Sequence, residues 1–121
     1  MLLFMFAFVV PPSRADPYDG KRLLEQANAL LNLRPSEKKT SFEENLKIRE
    51  VVGYLRGFTD MALMGETIKG GEPLYSLPDD GVTPMQMAKL VKKYLEGHPE
   101  KLSKQAGEVM YLVLIDAFPK K

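Results

Sequence analysis

The sequence predicts an all-α fold, a single small bundle of about four helices in a chain of 121 residues. Apolar residues recur every three or four positions in several long segments, which is the period of an amphipathic helix. No segment alternates apolar and polar residues as a half-buried strand does. With 45% hydrophobic and 27% charged residues, the composition is typical of one globular domain.

The N-terminal segment is predicted to be an export signal. Its first ten residues are wholly apolar, and Pro11 and Pro12 end the run. A bilayer-spanning helix needs about 20 such residues, so we expect no stable membrane anchor. Ser13 and Ala15 place small residues where a signal peptidase cuts. We therefore expect residues 1–15 to be a signal peptide and residues 16–121 to be the mature domain; the alternative is a buried N-terminal strand or helix.

Two amphipathic helices are predicted in the first half of the mature chain. The first spans 21–33, and the second runs from about Phe42, behind a Ser41–Glu44 capping box, to Met64. The residues expected to face inward on the second helix are Leu46, Ile48, Val51, Val52, Leu55, Thr59, Ala62 and Leu63. Gly53 and Gly57 lie one turn apart and cost about 1 kcal/mol each relative to alanine. We therefore expect another element to pack closely against them.

The second half predicts a long loop and two more helices. Gly70, Gly71 and two prolines make 65–82 the longest irregular segment, and the second helix should stop near Gly65. A third helix is predicted to start after Thr83, which serves as its cap, with Pro84 at the first helical position and Gln86 as the capping-box glutamine. It is predicted to end at Gly97. A fourth runs from about Pro99 to Phe118 and should neighbour the third. Its broad apolar surface predicts a central position or a subunit contact.

Composition and charge exclude several classes of function. Removal of residues 1–15 takes away Arg14 and leaves 16 basic and 16 acidic groups, so the mature net charge is zero. Lysine and arginine are interleaved with acidic residues throughout, whereas nucleic-acid binding needs a clustered basic face. The chain has no cysteine, which excludes disulfides, thiolate metal sites and thiol nucleophiles.

Few residues of the sequence are candidates for a catalytic or metal-binding role. His98 is the only histidine, and its place at a helix boundary favours a cap or an exposed side chain. Asp60 lies in an apolar stretch one turn after Arg56, which favours a local ion pair over a functional site. Asp79 and Asp80 precede Gly81 as in an ordinary turn, without the ligand pattern of a calcium loop. We predict no enzyme activity, no metal and no cofactor.

Five segments in order resemble one known family. They are LLEQA (23–27), VVGYLRGFTD (51–60), LYSLPDDGVTPMQ (74–86), VKKYLEGHPEKL (91–102) and IDAFP (115–119). These blocks look like those of the Rap/Tai family of type VI secretion immunity proteins. The resemblance implies a small helical periplasmic protein, often a homodimer, that binds a peptidoglycan-cleaving amidase effector and blocks its active site.

The sequence departs from this family at four positions. Members usually carry cysteines where this chain has Ala27, Val52, Ser76 and Lys120. If these four cysteines form disulfides in other members, we expect them to be lost together, because the loss of one partner would leave an unpaired, reactive thiol. We therefore expect the mature domain to melt at the same temperature with and without reductant.

The loop from Glu66 to Asp80 is the predicted partner-binding surface. The side chains best placed to fill a groove of the effector are Glu66, Glu72, Tyr75, Asp79 and Asp80. The alternative function is a helical periplasmic chaperone or stress protein that binds unfolded clients through apolar surface. Such a protein would hold many clients weakly, whereas an immunity protein would hold one partner tightly.

Overall fold

Four α-helices make up most of the described structure. The computed structural model describes residues 18–33, 41–68 and 74–120, and side chains throughout except at 65–68. The helices are α1 (Gly20–Leu31), α2 (Phe42–Ile68), α3 (Pro84–Gly97) and α4 (Ala106–Ala117), with a 3₁₀ helix (Pro99–Ser103) between α3 and α4. These ranges contain two isolated antiparallel bridges but no strand. The predicted all-α fold is confirmed; the predicted signal peptide lies outside the described residues.

The helix starts follow from local capping chemistry. The Thr83 hydroxyl accepts a hydrogen bond from the Gln86 N–H at 3.1 Å, and the Gln86 side chain accepts one from the Thr83 N–H at 2.8 Å. The predicted capping box of α3 is therefore complete. At α2, the Ser41 hydroxyl accepts a bond from the Glu44 N–H at 3.1 Å. The α1 helix begins after Asp19, whose carboxylate accepts a bond from the Arg22 N–H.

Two predicted helix boundaries were wrong. The α2 helix does not stop near Gly65 but continues to Ile68. The predicted fourth helix is two elements, because the chain leaves the 3₁₀ helix in extended conformation at Lys104 before α4 begins. There the Lys104 carbonyl accepts a bond from the Gly20 N–H at 2.8 Å, and the Ala106 N–H donates to the Tyr18 carbonyl at 2.9 Å. Because these backbone groups pair with Tyr18 and with Gly20 at the start of α1, they cannot continue a helix.

The core forms where α1 packs against α2 and α3, with α4 against α3. Its largest fully buried side chains are Leu23, Val51, Leu55, Met87, Val91, Leu95, Val109, Met110, Val113 and Leu114. Two residues assigned to the inward face of α2 were misplaced, because Leu46 and Leu63 are exposed. No helix in the described ranges is long and apolar enough to cross a membrane.

The glycine pair of α2 faces outward. A Cβ added to Gly53 or Gly57 would meet no neighbouring atom within 4 Å in the described structure. The prediction that another element packs closely against the pair is therefore wrong for the described elements of this chain. The buried residues Val51 and Leu55 show why, since they fix the opposite side of α2 as the core face.

Candidate partner-binding loop

The segment that follows α2 is attached to the body of the protein by Tyr75. The Tyr75 side chain is 9% exposed, and its hydroxyl donates a hydrogen bond to the Ala62 carbonyl of α2 at 3.0 Å. The next residue, Ser76, donates its N–H to the Phe118 carbonyl at 2.8 Å. Tyr75 therefore ties the segment to α2 while Ser76 ties it to the chain after α4.

An acidic turn, formed by residues 78–81, follows this point of attachment. The Gly81 N–H donates to the Pro78 carbonyl at 2.9 Å, and Gly81 has a φ of +83°, which a residue with a side chain rarely adopts. Asp79 and Asp80 occupy the middle of the turn and are exposed. Leu77 is buried immediately before the turn. The two carboxylates are thus displayed on a hydrogen-bonded turn that stands on buried residues.

The five predicted partner-binding residues differ in their surroundings. Asp79 and Asp80 lie side by side at the surface. Tyr75 is buried, so in this structure it supports the turn and offers little surface to a partner. Glu66 belongs to the last turn of α2 and not to a loop, and its side chain lies outside the described residues, as does all of Glu72. Their partner-binding role stays a prediction.

His98 lies at a helix end, as the sequence predicted. It is the C-cap of α3, and its Nδ1 lies 2.8 Å from the Tyr94 carbonyl oxygen. The imidazole also stacks on the Tyr94 ring, with ring centroids 4.2 Å apart. These contacts give His98 a structural role in closing α3.

Asp60 is an exposed residue on the outer part of α2. The local ion pair predicted with Arg56 does not form, because the described structure contains no ion pair between the two side chains. Since Asp60 faces water, its position in an apolar stretch carries no desolvation penalty.

A polar cluster between α1 and α2 was not predicted from the sequence. Buried Gln26 accepts a hydrogen bond from the Tyr18 hydroxyl and donates one to Glu50, which also binds Arg22 at 3.0 Å. Burial and the nearby Glu50 charge raise the pKa of Tyr18. The signal was present in the sequence, since Gln26 follows Leu23 by three positions on the inward face of α1.

This cluster borders a groove of about 690 Å³ between α1 and the first half of α2. Its charges are matched across the groove, with Arg22 paired to Glu50 and Lys47 paired to Glu25 at 3.2 Å. Such a groove indicates no preference for a ligand of either charge. Among the described residues, no three acidic or histidine side chains are grouped as a metal ion would require.

Comparison with known protein families identifies a match over most of the chain. Residues 19–119 match the family described as Rap1a immunity proteins, a range that contains every described helix and the acidic turn. A search of curated proteins found no similar sequence.

Proposed function

Because the chain belongs to the family of Rap1a immunity proteins, we propose that it blocks the active site of a secreted peptidoglycan amidase by binding over it. Membership implies an immunity function against a secreted effector, exerted by binding and not by catalysis. The match over residues 19–119 is the observation that carries the proposal. The choice of an amidase as the effector rests on the resemblance of the sequence blocks.

The acidic turn is the surface that best suits such a role. Asp79 and Asp80 can accept hydrogen bonds from a partner, and the turn beneath them is already ordered by the Gly81–Pro78 bond. An ordered loop loses less conformational entropy on binding than a flexible one. Tyr75 holds this turn in place through its hydrogen bond to the Ala62 carbonyl. The proposal keeps Glu66 and Glu72 as further partner-binding residues on the strength of the sequence alone.

We place the protein in the periplasm, as a homodimer. The apolar first ten residues and the small residues before Asp16 support export by a signal peptide. A peptidoglycan amidase acts outside the cytoplasmic membrane, so an inhibitor must be exported to meet it there.

Affinity capture tests the proposed function. The full chain, tagged at its C-terminus and processed in the cell, would be incubated with a periplasmic extract that contains candidate secreted cell-wall hydrolases. We expect one amidase to remain at stoichiometric yield after a high-salt wash. Retention of a different class of effector would overturn the amidase assignment, and retention of no secreted protein would overturn the binding function.

A charge-reversal pair tests the acidic turn. We expect Asp79→Lys with Asp80→Lys to weaken binding of the captured effector by at least about tenfold, the scale of losing a few interface contacts. Glu100→Lys with Glu108→Lys is the matched control, since it reverses two exposed carboxylates elsewhere. Equal affinity of both variants would place the binding surface away from the turn.

The chaperone alternative makes the opposite prediction in the same capture experiment. A chaperone would retain many unrelated proteins, each in small yield, and the captured set would depend on pH. The zero mature net charge is compatible with this alternative but does not favour it over a single partner. The broad apolar stripe predicted for the fourth helix does not support it, because most apolar side chains of α4 are buried.

A further inference from the structure

The side of α2 that faces away from the core is apolar and open. Phe42 is 76% exposed, and Leu46 and Met64 are each 51% exposed. At 3.6 residues per turn, these three residues share one face with Gly53 and Gly57, opposite buried Leu55. Because a Cβ at either glycine would meet no atom of the described residues within 4 Å, these residues leave room for another helix to approach the backbone there.

This face is symmetric about the middle of α2. The helix spans Phe42–Ile68, which makes Leu55 its central residue. Gly53 and Gly57 lie two residues before and after this centre, and Leu46 and Met64 lie nine residues before and after it. A second α2 running antiparallel would therefore place glycine against glycine and Leu46 against Met64. Such self-complementarity is the property of a two-fold interface.

We propose that two copies of this chain associate through the outer faces of α2, packed antiparallel with the glycine pairs at the crossing point. The inference rests on the homodimer of the proposed function and identifies its interface. The glycines allow the helix axes to come close at the centre, and the exposed leucine, methionine and phenylalanine side chains close the contact toward both ends.

The charges beside this face fit the same arrangement. Arg49 lies six residues before Leu55 and Asp60 five residues after it, on the same side of the apolar face. Eleven residues of helix separate them by about 16 Å, so they cannot pair within one chain. In the antiparallel pair, Arg49 lies beside Asp60 of the partner subunit. The two-fold axis makes this contact twice.

Sedimentation velocity tests the glycine contact. Protein from the full chain, processed in the cell, should sediment as a dimer. We expect Gly53→Lys with Gly57→Lys to raise the dimer dissociation constant at least about a hundredfold, since charged side chains would fill the closest approach. Gly97→Lys is the matched control, because Gly97 is also a helical glycine whose added Cβ would meet no described atom within 4 Å. It should remain dimeric, and circular dichroism should show unchanged helix content in both variants.

Charge reversal tests the pairing of the two helices. We expect Arg49→Asp alone and Asp60→Arg alone each to weaken the dimer about five- to tenfold, the scale of two exposed ion pairs. The double variant should restore the dissociation constant to about that of the original chain, because each new pair has the opposite polarity. Because Arg49 and Asp60 are too far apart within one helix, a restored dissociation constant would show that the two positions pair between subunits.

The outcomes separate this inference from the function on which it rests. A dimer that persists in the glycine variant would overturn the α2 interface and leave the homodimer intact. A monomeric original chain would overturn both the interface and the homodimer, while effector capture would still test inhibition separately. If the original chain is a monomer and the glycine variant no longer captures the effector, the α2 interface between subunits is overturned. The outer face of α2 would then be assigned to effector binding.

Discussion

Gly20 shows how a single residue allows two segments to meet. A Cβ at Gly20 would lie 2.6 Å from the Lys101 carbonyl oxygen and 3.0 Å from the Leu102 Cα. Both contacts are with backbone atoms, which cannot move aside as a flexible side chain can. The absence of a side chain at Gly20 therefore permits the pairing of Tyr18–Gly20 with Lys104–Ala106 that divides the predicted fourth helix.

We expect Gly20→Ala to lower the free energy of unfolding by about 1–3 kcal/mol, the usual cost of overpacking. Urea unfolding monitored by circular dichroism would measure the change. Gly97→Ala is the control, since a Cβ at Gly97 would meet no atom within 4 Å in the part of the chain that the structure describes. It should leave stability unchanged or slightly higher, and an equal loss in both variants would show that the close approach does not matter.

Three partly or fully buried tyrosines should make the folded protein sensitive to alkali. Burial raises the pKa of Tyr18, Tyr54 and Tyr94 above the ordinary value of 10.0, and the Glu50 charge adds to the effect at Tyr18. The folded state then holds these protons more tightly than the unfolded state. The stability gained is complete below pH 10 and is lost progressively as the pH rises above it.

We therefore expect the melting temperature to fall as the pH rises from about 9.5 to about 11.5, a range that spans the unfolded tyrosine pKa of about 10. The fall, measured from each protein's own melting temperature at about pH 8, should be smaller in the variant Tyr18→Phe. Thermal melts by circular dichroism would follow the change. Tyr111→Phe removes the hydroxyl of an exposed tyrosine and should leave the alkaline loss of stability as it is. If Tyr18→Phe behaves like Tyr111→Phe, ionisation of Tyr18 does not contribute.

At the scale of the element, helix starts were predictable and helix ends were not. A cap is formed by residues three positions apart, so Thr83 with Gln86 and Ser41 with Glu44 were visible in the sequence. Gly65 was predicted to end α2, but the helix continues to Ile68. The start of α4 depends on backbone partners more than 80 residues away, which no local pattern contains.

We expect Thr83→Ala to destabilise the protein by about 1 kcal/mol, the usual cost of losing an N-cap. The hydroxyl satisfies the Gln86 N–H at the start of α3, and alanine cannot replace it. Chemical denaturation would measure the loss. Ser103→Ala is the control, since Ser103 is exposed in the 3₁₀ helix. A similar loss in both would indicate that the α3 cap makes no special contribution.

At the scale of the whole molecule, a hydrogen bond from Tyr75 to the Ala62 carbonyl links the acidic turn to α2. Tyr75→Phe keeps the buried ring but removes the donor to the Ala62 carbonyl. We expect a loss of about 0.5–1.5 kcal/mol, the net value of one such bond. Limited proteolysis should also cleave the segment around residues 74–82 faster than in the original chain.

The exposed hydroxyl of Tyr111 provides the comparison for this change. Tyr111→Phe removes the same group from a ring that contacts Tyr75 edge-on at 6.3 Å. It should change neither stability nor the rate of cleavage. If Tyr75→Phe also leaves both unchanged, the turn is held by Leu77 and by the Ser76–Phe118 bond.

The sequence by itself determined the all-α fold, the starts of α2 and α3, and the family, because each depends on residues close together in the chain. Periodicity also placed Val51 and Leu55 in the core. Only the tertiary structure decided that Tyr75 supports the candidate loop, that Leu46 and the glycine pair face outward, and that residues 99–103 leave the helical path of α4. These outcomes depend on contacts between distant segments, whose positions are set by packing and by long-range backbone hydrogen bonds.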